Sequence, residues 1–76
     1  MNNSRRKRIN ESIGLLEEAY GQLNMVLSDE QKALSKLSND EEYDDMRYGM
    51  EDFISELEDT ISSLEDALGT LNDADF

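Results

Sequence analysis

Apolar residues fall in two runs with one rhythm. In the first half they stand at Ile9, Ile13, Leu16, Tyr20, Leu23, Leu27, Leu34 and Leu37. The steps alternate between four and three, with a single step of seven across Glu30. In the second half the run is Met50, Ile54, Leu57, Ile61, Leu64, Leu68 and Leu71, and every step is four or three. This is the heptad rhythm of a helix that buries one stripe against another helix. Phe53, Thr60, Ala67 and Ala74 lie beside the second seam and widen its stripe to about three positions in seven, a width that suits a bundle.

Between the two runs lies SNDEEYDD, residues 38–45, polar throughout. The expected layout is a single domain over residues 1–76. It comprises a basic segment 1–8, a helix 9–37, an acidic turn 38–45 and a helix 46–74. Each helix would be about 42 Å long at 1.5 Å per residue, and equal helices with a short connection form an antiparallel hairpin. The fold class is therefore all-α.

Several local signals leave the details open. Ser38 and Glu41 have capping-box spacing, which would start the second helix near Asn39 rather than near Asp45. Ser28 with Gln31 offers another cap, so a break near residue 28 and a third helix are an alternative. Ser4 is a candidate cap for the first helix. The hairpin register brings Gly14 near Gly69, either as a close backbone approach or as two tolerated glycines costing about 1 kcal/mol each. A hairpin also leaves much of a wide stripe open. Its cover would be a second copy, making a four-helix bundle, or a groove on another protein.

Charge changes the picture most. The chain carries a net −12, and four of its seven basic residues are Arg5, Arg6, Lys7 and Arg8. Residues 9–76 hold three basic residues against nineteen acids, a net of −16. Such a field repels nucleic acid and anionic membranes and attracts cationic surfaces. Within the second helix an acidic pair recurs in three successive heptads: Glu51 and Asp52, Glu58 and Asp59, Glu65 and Asp66. Asp73 continues the column. Nine acids lie between Glu51 and Asp75, about one per 4 Å of helix, against one charge per about 3.4 Å on a strand of B-DNA.

No basic residue follows Arg47. A surface helix ordinarily mixes signs, because opposite charges four apart stabilise it, and acids at a helix C-terminus oppose the macrodipole. Two readings follow. The columns are a solvated face that only keeps the chain soluble, or they bind a cationic surface as phosphates would. On the second reading the partner-binding residues are Glu51, Asp52, Glu58, Asp59, Glu65 and Asp66. The turn acids Asp40, Glu41, Glu42, Asp44 and Asp45 add to their field. Tyr43, Met46, Tyr48 and Met50 cluster near that turn as recognition residues for a basic protein, or Met46, Met50 and Phe53 simply close the bundle end.

Other chemistry is scarce. The chain has no histidine, cysteine or proline, and no Gly-rich phosphate loop, so no enzyme, cofactor or metal centre is expected. A calcium loop beginning at Asp40 would place Asp45 where the sharp turn needs glycine, and Glu51 inside a helix. MNNSRRKR is followed by an amphipathic segment rather than an apolar run, so neither a signal peptide nor a membrane span is expected. This points to the cytoplasm. The four basic residues pair with Asp73, Asp75 and the terminal carboxylate or with a partner protein, in preference to phosphate, which the remaining charge opposes.

The layout RRKRINESIGLLEEA, then SDEQKAL, then MEDFISELEDTISSLEDAL resembles a group of small acidic proteins of bacteriophages and integrative elements of bacteria, whose turn is expected to contain a proline that SNDEEYDD lacks. The resemblance spans nearly the whole chain through motifs of low complexity. It implies a mobile-element origin, the bacterial host cytoplasm as location, and inhibition of a host nuclease or defence complex, anti-CRISPR activity included, by DNA or RNA mimicry. The alternative function is a structural or adaptor coiled coil that self-associates through its apolar stripe as a homodimer.

Overall fold

The computed structural model describes residues 2–74. Two helices make up nearly all of it: α1, Asn3–Lys36, and α2, Asp44–Asp73, joined through one 3₁₀ turn, Glu41–Tyr43. They pack antiparallel as a hairpin of 60 × 15 × 14 Å. The expected all-α hairpin is the observed fold.

The seam predicted from spacing is the contact surface. Ile13 on α1 and Ile54, Leu57, Ile61 and Leu68 on α2 are buried, and the remaining seam residues are half-buried. No side chain among the described residues is completely shielded from water. Two helices cover only one stripe of each other, so the core is a single row of layers rather than an enclosed interior.

Helix boundaries differ from expectation in instructive ways. The first helix begins six residues early. Asn2, not Ser4, is the cap: its Oδ1 accepts the Arg5 backbone N–H at 2.9 Å. Asparagine caps as well as serine does, and starting upstream satisfies more backbone groups. Arg5 to Arg8 are thus helical, not a separate tail. The break near residue 28 does not occur, because α1 runs unbroken through Ser28 and Gln31. Leu27 and Leu34 keep the seam in phase on both sides of the half-buried Glu30, and burial outweighs a local capping signal.

The turn is built by Ser38 and Arg47. Leu37 leaves the helix with extended backbone, and Ser38 Oγ accepts the Asp40 N–H at 3.2 Å. This uses Ser38 as a turn residue, so no helix starts at Asn39 and α2 begins at Asp44. The Arg47 guanidinium donates to Asp44 Oδ1 at 2.7 Å and to the Ser38 carbonyl. One half-buried cation thereby ties the first turn of α2 to the end of α1. Replacing it with alanine removes both bonds, and Arg47→Ala is expected to lower stability by about 1–2 kcal/mol, measured by thermal unfolding.

Gly14 and Gly69 do not make a close approach. Both are exposed, and a Cβ built on either meets nothing within 4 Å. Gly14 follows the buried Ile13 and so points away from the seam. Gly14→Ala and Gly69→Ala should each stabilise the hairpin by about 0.5–1 kcal/mol. A loss of stability in denaturant titration would contradict this placement.

Candidate functional site: the acidic flank of α2

Because α2 is uninterrupted, its seven-residue columns keep one phase relative to the seam. Glu51, Glu58 and Glu65 each follow a seam residue, and Asp52, Asp59 and Asp66 lie one position further out. All six are exposed. The inner column borders α1, since the Tyr20 hydroxyl donates to Glu65 Oε2 across the hairpin at 3.4 Å. The outer column points away from α1.

Starting the helix at Asp44 has a consequence for the turn acids. Asp45 is already helical and stands seven residues before Asp52. The outer column therefore contains five aspartates in phase, Asp45, Asp52, Asp59, Asp66 and Asp73, over about 42 Å. Its signal in the sequence is the seven-residue spacing itself, which the expected turn 38–45 hides by including residue 45. Asp44 behaves differently. It is half-buried and its charge is answered by Arg47, so it serves the fold. Asp40 accepts the Tyr43 N–H through its backbone carbonyl at 3.0 Å. The side chains of Glu41 and Glu42 are exposed on the 3₁₀ turn. The structure thus joins Asp45 to the columns and leaves Asp40, Glu41 and Glu42 as a separate acidic tip.

Arg47 is the residue that sequence reasoning passed over. It occupies the seam position three before Met50, and Asp44 stands three residues before it, a spacing at which helical side chains meet. Near the turn, Tyr43 and Met50 are half-buried and close the hairpin end, while Met46 and Tyr48 are exposed. Of the three residues expected to close the bundle end, Met50 does so, whereas Met46 and Phe53 are exposed.

At the opposite end, among the described residues, no ion pair links Arg5, Lys7 or Arg8 to Asp73. Asp73 belongs to the outer column and faces away from α1. Asp75 and the terminal carboxylate lie outside the described residues. Arg5, Arg8, Ile9, Ser12 and Leu71 line an open cleft of about 360 Å³. Among the described residues no three carboxylates converge as a metal site requires. Residues 44–51 are helical, so the twelve-residue calcium loop does not exist. Among the described residues no helix is long and apolar enough to cross a membrane.

Comparison with protein-family models, with curated proteins and with solved structures found no match. The fold and surface themselves define an acidic antiparallel helical hairpin with the negative charge of its second helix organised in two in-phase columns.

Proposed function

We propose that this chain is a non-enzymatic binder that occupies a basic, nucleic-acid-binding surface of another protein, with the α2 columns in the place of phosphates. The observation that carries this is the run of five in-phase aspartates beside three in-phase glutamates on one unbroken helix, with no cation after Arg47 to neutralise them. Helix α2 holds ten acids in 30 residues, about one per 4.5 Å of axis, comparable with one strand of B-DNA. Helix stability favours the opposite arrangement, so selection for a cationic partner is the simpler account of the columns. The resemblance to small acidic proteins of phages and mobile elements suggests a host nuclease or defence complex as that partner.

Association of this kind is fast and weakens with salt. The test is capture of partners from bacterial lysate on the tagged chain, with washes at low and at high salt. A nucleic-acid-binding protein retained at low salt and released at high salt is the expected result. Recovery of the bait alone as a salt-resistant oligomer would overturn it. That result would favour the adaptor reading, which the exposed Val26 and Phe53 support. Deleting residues 1–8 tests the basic segment separately: loss of any nucleic-acid binding on deletion would assign it to Arg5 to Arg8.

A further inference from the structure

The flank of the hairpin opposite the glutamate column carries almost no charge. On α1, Ser12, Ala19, Val26 and Ala33 each precede a seam residue. On α2, Met46, Phe53, Thr60 and Ala67 stand at the equivalent repeat position. In an antiparallel pair these two columns share one side. Ser12 confirms it by lining the same cleft as Ile9 and Leu71, whereas Tyr20 meets Glu65 on the other side. Exposed apolar side chains gather here: Val26, Met46 and Phe53 are 41–56% exposed, and Leu15 at 68% stands beside them.

From this flank we infer that the chain pairs with a second copy of itself, side by side and inverted end for end, as a four-helix bundle.

Three features select that occupant and that orientation. The first is area. The chain exposes 5785 Å², whereas a compact monomer of 8.7 kDa exposes about 4,700 Å². The excess, about 1,000 Å², is close to the ~800 Å² per partner of a standard interface. A flat side of 60 × 15 Å can supply it. The second is charge. Arg5 and Arg8 stand at one end of the flank, and the turn acids Asp40, Glu41 and Glu42 at the other. Inversion sets the basic end of each copy against the acidic tip of its mate, twice over, whereas parallel alignment sets like against like. The third is shape. Within the two columns the bulky residues Phe53 and Met46 lie toward the turn, beside the small Ala33, and the small Ser12, Ala19 and Ala67 lie toward the open end, with Leu15 at their edge. The middle of the rod falls between Ala19 and Val26. Inversion about it carries the partner's Phe53 to the level of Ser12, where the cleft of about 360 Å³ lies, with Arg5 and Arg8 on its rim. An aromatic ring beside two guanidinium groups is a favourable pairing. In the dimer the aspartate columns remain on the two outer sides, so this inference does not depend on the acidic-surface reading.

The test is solution mass by light scattering, with spin-label distances for orientation. Wild type is expected at twice 8.7 kDa, and Phe53→Asp and Val26→Asp at the single mass with helicity retained. Among the described residues the chain has no cysteine, so Ala33→Cys and Ala67→Cys can be labelled singly on an otherwise unchanged face. In the inverted dimer the Ala33→Cys labels lie about 30 Å apart along the rod and the Ala67→Cys labels about 20–25 Å apart. A single-mass wild type would overturn the inference and leave the flank to a different protein. A dimer indifferent to Phe53→Asp would overturn the face, and Ala33→Cys labels in near contact would overturn the inversion.

Discussion

Ile61→Asp is expected to leave a chain that no longer folds cooperatively. Ile61 is 7% exposed and sits in the middle of the seam between α1 and α2. Removing it forfeits about 2–3 kcal/mol of apolar burial, and placing a carboxylate against α1 adds a desolvation cost of at least 1–2 kcal/mol. A chain of 76 residues has about 4–11 kcal/mol of stability in total. A core with no completely buried side chain places it toward the lower end. One substitution therefore consumes most of the stability. The measurement is helicity by circular dichroism through a thermal ramp. Ser62→Asp is the control, because it adds the same charge one residue away at an exposed position and should shift stability by no more than about 0.5 kcal/mol. If both variants melted alike, the seam would not be what holds the helices together.

Reversing the middle of the acidic columns is expected to do the opposite, sparing the fold and removing function. The side chains of Glu58 and Asp59 are exposed and make no hydrogen bond or ion pair with any described residue. Glu58→Lys with Asp59→Lys changes the net charge from −12 to −8, two units for each reversal. Across an interface with a basic surface, each lysine replaces an attraction with a repulsion. Affinity should fall at least ~100-fold, about 2.8 kcal/mol, with the melting curve unchanged. Lysines at Ser55, Ser62, Ser63 and Thr70 add the same four units of positive charge at exposed positions outside both columns. They should cost far less, which separates the geometry of the columns from net charge alone. Equal losses in the double reversal and the charge-matched quadruple variant would mean that only the long-range field matters. No loss in either would identify the columns as a solvated face.

Much of this molecule was legible in its sequence, and the residues show why. From Ile9 to Leu37 and from Met50 to Leu71 the apolar steps keep one rhythm, and each repeat strengthens the same inference. Helix type, antiparallel pairing and the exposed Glu51, Glu58 and Glu65 column follow from that redundancy. Single-residue signals fared worse. Ser4, Ser28 and the Ser38–Glu41 pair all have capping chemistry, and none caps a helix. A cap contributes about 1 kcal/mol and competes with every neighbouring way of satisfying the same backbone groups. Asn2 prevailed at the start of α1, continuous burial prevailed at Ser28, and a turn bond to Asp40 took Ser38.

The sequence by itself determined that two helices form, which stripe each buries and that α2 is acidic along its length. Periodicity is a property of the chain, and the hydrophobic effect reads it the same way in any surroundings. Only the tertiary structure decided where α2 begins, and with it that Asp45 joins the aspartate column while Asp44 is held by Arg47. It alone decided that Gly14 and Gly69 stay apart, and that the uncharged residues of both helices gather on one flank with the cleft at its end. These are facts of register and phase between elements. They depend on how one helix sits against the other, which no local stretch of sequence encodes.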